Sequence, residues 1–158
     1  MQEDRATILV VDDTAENIDV LRGVLRRLYK VKVATNGERA LEMAHASIPP
    51  DLILLDIMMP SMDGYEVCRR LKDDPHTARI PVIFVTAMNS SDDEAKGFEL
   101  GAVDYISKPI KPAVVRARVA TQLTLHHQSR VLRKVLSQCT AELDAMRQFL
   151  QTENNPNG

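Results

Sequence analysis

The chain has 158 residues, 44% of them hydrophobic, and a formal net charge of -2, which is enough for one domain with a real core plus an appendage and too little for two full domains. Arginines interleaved with acids predict no nucleic-acid partner, and the lack of any apolar run near about eighteen residues or of a basic-apolar leader predicts no membrane span and a cytoplasmic location. Cys68 and Cys139 form neither a CxxC pair nor a metal-ligand cluster and read as reduced thiols at apolar positions.

Taken in order, the elements alternate between two periods. Ile8-Leu9-Val10-Val11 is a continuous apolar run, the mark of a strand buried on both faces of a parallel sheet, and it ends at Asp12-Asp13. Ile18, Leu21, Leu25 and Leu28 then recur at three- and four-residue steps and predict a helix from Ala15 to Tyr29. Val31-Lys32-Val33-Ala34 alternates, as a more exposed second strand would. Thr35-Asn36-Gly37-Glu38 is a capping signature for a helix through Ala46, which Ile48-Pro49-Pro50 ends. Leu52-Ile53-Leu54-Leu55 is the third strand and runs into Asp56. A third helix is expected from Gly64-Tyr65 to before Asp74-Pro75, with Val67, Cys68 and Leu71 inward. Val82-Ile83-Phe84-Val85 leads to Thr86. Ser91-Asp92-Asp93-Glu94 caps a short fourth helix, and Gly101 ends it in a left-handed turn. Val103-Asp104-Tyr105-Ile106-Ser107 leads to Lys108.

The fifth helix starts after Pro112 and outlasts the sheet. Five strand-helix units are complete near Leu123, yet helix-forming residues continue to Gln151 without Gly or Pro. Leu132, Leu136, Cys139, Leu143, Met146 and Leu150 follow alternating four- and three-residue steps, the spacing of a coiled-coil seam that favours a homodimer through this helix. The expected organisation is therefore 1–123 as one α/β domain, 124–151 as a helical extension and 152–158 as a polar, disordered tail.

In open α/β sheets ligands bind at the carboxyl ends of strands, so the residues that stop these runs would meet at one edge. Any one alone is a helix cap or a turn residue. Their coincidence with a hydroxyl and an ammonium at equivalent strand ends points to a site. Three carboxylates held a few ångströms apart repel by about 4 kcal/mol per pair at an effective dielectric near 20, and therefore call for a cation. Without His or Cys at these ends the donor set fits Mg²⁺ better than Zn²⁺. Lys108 suits a phosphoryl oxygen and Thr86 offers a hydroxyl donor to it. A carboxylate beside such cations can attack phosphorus and become an acyl phosphate; Asp56 is the nucleophile of choice, with Asp12 and Asp13 holding the metal. His126-His127 lacks acids to complete a ligand set and reads as a pair of polar side chains facing solvent. Met58, Met59, Met62 and Met88 would place apolar bulk near the site, where it could slow water attack.

From Thr7 to Gln122 the chain resembles the response-regulator receiver domain of two-component signalling. The resemblance puts the family's acidic pair on Asp12 and Asp13, its phosphoacceptor on Asp56, its switch hydroxyl on Thr86 and its lysine on Lys108. It also implies a metal-binding backbone carbonyl at Met58, in the turn Met58-Met59-Pro60-Ser61-Met62-Asp63-Gly64, a small residue at Ala87 and a cis bond between Lys108 and Pro109. The implied fold is a flavodoxin-like five-stranded parallel sheet with helices on both faces. The implied function is to accept a phosphoryl group from a histidine kinase or phosphotransfer protein, a signalling rather than an enzymatic role. In the implied switch Thr86 moves toward the phosphorylated Asp56, Tyr105 turns inward, and the signal reaches the surface of the fourth helix, fifth strand and fifth helix; Tyr105 reads equally well as an edge-strand aromatic packed on the fourth helix.

The extension resembles the connectors that join receivers to HD-GYP or diguanylate cyclase output domains. The chain thus reads as the amino-terminal piece of a cyclic-di-GMP phosphodiesterase or cyclase, or as a stand-alone receiver whose helix binds an effector protein. A Mg²⁺-dependent phosphohydrolase of the haloacid-dehalogenase kind is the alternative from another class, though there the nucleophile lies on the first strand with its second acid two positions later. A scaffold carrying a vestigial receiver is a third reading, one in which Mg²⁺ would not bind.

Overall fold

The computed structural model describes residues 4–87 and 91–154. Strands β1 (Thr7–Val11), β2 (Lys30–Ala34), β3 (Leu52–Leu55), β4 (Val82–Thr86) and β5 (Asp104–Ser107) alternate with helices α1 (Ala15–Leu25), α2 (Gly37–Ala44), α3 (Gly64–Asp73), α4 (Ser91–Glu99) and α5 (Pro112–Glu153). Every strand pair is parallel and the order is β2-β1-β3-β4-β5, the doubly wound flavodoxin-like arrangement whose strand order reverses beside β1.

The strand pleat divides the core between two faces. Ile8 and Val10 join Ile18, Leu21 and Leu25 of α1 and Val115 and Val119 of α5 on one side. Leu9 and Val11 join Ala40 and Ala44 of α2 and Val67, Cys68 and Leu71 of α3 on the other. Strands β1, β3 and β4 are buried along their whole length, which is why their sequences are continuously apolar, whereas β2 sits at the edge with Lys30 and Lys32 exposed. Helix α4 is held differently. Gly97 is its one buried residue, lying so close to Phe84 that a Cβ would come within 3.0 Å of the ring, and Tyr65 packs edge-on to Phe84 while carrying the Lys96 ammonium 4.2 Å over its face.

Several boundaries differ from expectation. Helix α1 stops at Leu25 rather than Tyr29, because Leu28 and Tyr29 both donate back to the Leu25 carbonyl in a turn that delivers Lys30 into β2; Leu28 consequently faces solvent. Helix α2 ends at Ala44, where the His45 amide caps it, so the prolines at 49 and 50 follow the stop rather than cause it. Asn36 is its N-cap and accepts from the Arg39 amide. In α4, Ser91 is the first helical residue, and the capping position before it lies outside the described residues. Gly101 takes a φ of +99° as expected. Helix α5 runs 42 residues to Glu153, so Thr152 and Glu153 belong to the helix and not to a disordered tail. The chain divides into two compact units, Met1–Leu123 and Thr124–Gly158. In the second unit the seam residues Leu132, Leu136, Cys139, Leu143, Met146 and Leu150 are all exposed. Among the described residues no helix is long and apolar enough to cross a membrane.

His45 links α2 to α3. Its Nδ1 lies 2.8 Å from the Leu41 carbonyl and its Nε2 lies 2.6 Å from Asp74 Oδ2, and acceptors at both nitrogens favour the protonated ring. The bond to Asp74 is the main cause of a raised His45 pKa, and the same bond lowers Asp74 to about 2. A raised histidine pKa means that this contribution to stability is complete below pH 6.5, the ordinary value, and is lost as pH rises through the elevated one. We expect Asp74→Asn to flatten the fall in melting temperature above neutral pH by a small amount, as befits an exposed pair. A slope identical to that of the parent in a pH series of thermal melts would show that the pair contributes nothing.

Candidate functional site

Parallel registration sets the first two carboxylates side by side. Val11 pairs with Leu55, so Asp12 and Asp56 leave adjacent strand ends in step, and the Asp56 amide donates to the Val11 carbonyl at 2.9 Å. Asp12 and Asp56 are buried, at 1% and 5% exposure, while Asp13 faces solvent. Carboxylate oxygens of the three lie within 4.8 Å of one another. Lys108 enters from β5, where its amide donates to the Thr86 carbonyl at 3.0 Å, and its Nζ stands 3.0 Å from Asp12 Oδ2 and 3.4 Å from Asp56 Oδ2. The peptide bond from Lys108 to Pro109 is cis. Thr86 closes β4, fully buried, and pairs in register with Ser107.

Burial is the main cause of a raised Asp56 pKa, the Asp12 charge adds to it, and Lys108 pulls the other way. One ammonium facing three carboxylates leaves the pocket anionic. Its donors are all oxygens, with no His or Cys among them, so the residues present fit a hard divalent cation with room for water. The Met58 amide is 3.4 Å from Asp56 Oδ1 while its side chain points to solvent, so Met58 meets the site by its backbone.

The turn after Asp56 is built by close approach. The Gly64 amide donates to the Ile57 carbonyl at 2.8 Å, and a Cβ on Gly64 would stand 2.2 Å from the Asp56 carbonyl oxygen, so only glycine closes this turn. Ser61 takes a φ of +68°, and Asp63 caps α3 by accepting from the Glu66 amide.

Some expectations do not hold. The methionines expected near the site are set differently from one another: Met59 is buried in the core cluster, Met62 packs against the same cluster and the Met58 side chain is exposed. Met88 lies outside the described residues. Tyr105 is already turned inward at 6% exposure, paired in register with Phe84, and burial pushes its phenol up to about 12. Its hydroxyl has no hydrogen-bond partner among the described residues. Sequence reasoning missed Thr14 and Asn17: the Thr14 amide donates to Asp12 Oδ1 at 2.9 Å and Asn17 Nδ2 approaches the same oxygen at 3.4 Å. An aspartate two residues before a strand-to-helix Thr is an Asx-turn signature and was the available signal for Thr14. His126 and His127 belong to the second unit.

Comparison with known proteins gives one consistent picture. The family model described as response regulator receiver domain matches residues 8–120. A Vibrio cholerae protein named "Probable cyclic di-GMP phosphodiesterase" is 44% identical over 149 residues, 90% of this chain and 34% of that protein. Response regulator PleD of Caulobacter vibrioides is 49% identical over 115 residues, 72% of this chain and 25% of that protein. This chain thus spans about a third of the first relative and a quarter of the second. Among solved structures, the BeF3-activated DrrB receiver domain of Thermotoga maritima superposes with a TM-score of 0.68 at 35% identity, covering 77% of this chain and 99% of that one.

Proposed function

The chain belongs to the response-regulator receiver family, a family of signalling domains, and on that premise we propose that it accepts a phosphoryl group on Asp56 and passes the resulting switch through α4, β5 and α5. The observation that carries this reading is the Lys108 ammonium within 3.0 Å of Asp12 and 3.4 Å of Asp56, where it can meet both the nucleophile and an incoming phosphoryl oxygen. Asp12, Asp13, Asp56 and the Met58 backbone would hold Mg²⁺, which when bound neutralises charge on the phosphoryl oxygens.

In the step itself an Asp56 carboxylate oxygen forms the bond to phosphorus as the phosphorus–nitrogen bond to the donor's histidine breaks, and the bonding pair leaves on the imidazole. The donor is a histidine kinase or phosphotransfer protein, and the product is an acyl phosphate whose water-driven loss resets the domain. Thr86, fully buried at the end of β4, is the hydroxyl that follows the phosphoryl group. The surface that would read the change holds a cavity of about 350 Å³ lined by Glu94, Tyr105, Lys108, Pro109 and Arg118, with Arg118 paired to Asp104 across α5 and β5.

Output is a second matter. The relation to the Vibrio cholerae protein extends over 149 residues, past the receiver and into the helical extension, which supports a receiver and connector that serve a cyclic-di-GMP enzyme or an effector protein from the cytoplasm. We propose that α5 beyond Thr124 forms a homodimer with a second copy, and that the near-neutral charge favours protein over nucleic-acid partners.

Incubation with labelled acetyl phosphate and Mg²⁺ tests the site. The expected result is one hydroxylamine-labile phosphoryl group per chain, with no sustained release of phosphate from small phosphomonoesters. Continuous turnover of p-nitrophenyl phosphate would instead favour a phosphohydrolase of the haloacid-dehalogenase kind.

A further inference from the structure

Two identical α5 helices could pair by the exposed seam in either direction, and the residues flanking it distinguish the two. Leu136, Leu143 and Leu150 occupy heptad position a, and Leu132, Cys139 and Met146 occupy position d. That places Glu142 at g, and Arg133 and Arg147 at e. In a parallel, in-register pair each g residue faces the e residue of the partner's next heptad, so Glu142 of each helix meets Arg147 of the other, twice by symmetry.

An antiparallel pair sets g against g and e against e. The register that keeps the whole seam opposed then places Glu142 against Glu142 and Arg133 against Arg147, like charge on like charge at both edges. Sliding that pair by one heptad separates the like charges but forms no opposite pair, and it sets Met146 against Ser129 in the core. Seam residues lie exposed along the unit Thr124–Gly158, whose described part is helical almost to its end.

We propose that the segment beyond Thr124 pairs with a second copy of this chain as a parallel, in-register coiled coil, oriented by the Glu142–Arg147 pairs. The proposal rests on the dimer reading given above and adds its direction and register. It places Cys139 of one helix against Cys139 of the other at a d layer, whereas either antiparallel register opposes Cys139 to a leucine, Leu143 or Leu136.

Diamide reads out that difference on the full chain. As the sulfur–sulfur bond forms, the two thiols lose two protons and two electrons, and the azo group of diamide takes them up to become a hydrazine. Cys68 is fully buried and does not compete. Sedimentation of the reduced chain is expected to give a dimer, and diamide a covalent dimer on a non-reducing gel that Cys139→Ser cannot form. Glu142→Arg and Arg147→Glu should each weaken the dimer by roughly fivefold or more, and the two together should restore it. A sedimenting dimer that diamide leaves uncross-linked overturns the parallel register while sparing the dimer. A monomer at every concentration tested overturns the dimer reading as well.

Discussion

Asp56→Asn is expected to reduce Mg²⁺-dependent labelling by acetyl phosphate to background. Asparagine has nearly the shape of aspartate, so the strand end and the contact to the Met58 amide survive, but an amide cannot serve as the carboxylate nucleophile. The same substitution is expected to raise, not lower, the melting temperature in the absence of Mg²⁺. Asp56 is buried beside Asp12, burial and that neighbouring charge both disfavour its ionised form, and Lys108 offsets only part of this. Labelling that persisted at full extent would move the acceptor elsewhere. A lower Mg²⁺-free melting temperature would mean that the Lys108 contact outweighs the repulsion.

Gly64→Ala should be the most damaging single methyl group in the domain. The added Cβ would meet three backbone atoms, the Asp56 carbonyl oxygen at 2.2 Å, the Ile57 Cα at 2.7 Å and the Asp56 carbonyl carbon at 2.9 Å. Backbone cannot swing aside as a side-chain tip can, so the turn must open. A loss of about 3 kcal/mol, or roughly 10 °C in melting temperature, is expected, together with impaired labelling because Asp56 itself is displaced. Gly23→Ala is the internal control. Nothing lies within 4 Å of its Cβ, it sits exposed inside α1, and the change should stabilise the protein by about 0.5–1 kcal/mol. If thermal melts of the two variants shifted equally, the close packing of Gly64 on Asp56 would not be the cause.

How much could be read from the chain depended on what each residue faces. Runs such as Leu52-Ile53-Leu54-Leu55 were legible because burial on both faces leaves no room for polar residues, and the strand ends they mark located the carboxylates, the threonine and the lysine. Helix ends were less legible. Leu28 keeps the helical spacing of α1 but lies past the turn at Leu25, since the chain must reverse there to enter β2, a demand set by the partner strand and not by local propensity. The reach of Asn17 back to Asp12 and the tight fit of Gly64 over Asp56 are contacts across a turn, invisible to periodicity. The inward setting of Tyr105 likewise depends on β4 and α4, which no pattern within β5 reports.

Helix α5 is one unbroken element of 42 residues. Between Pro112 and Glu153 it contains neither Gly nor Pro, the residues at which helices most readily kink. Position along it therefore sets angle as well as rise: deleting one residue turns the face presented by the residues after it by about 100°, whereas deleting a full heptad turns that face by only about 20°.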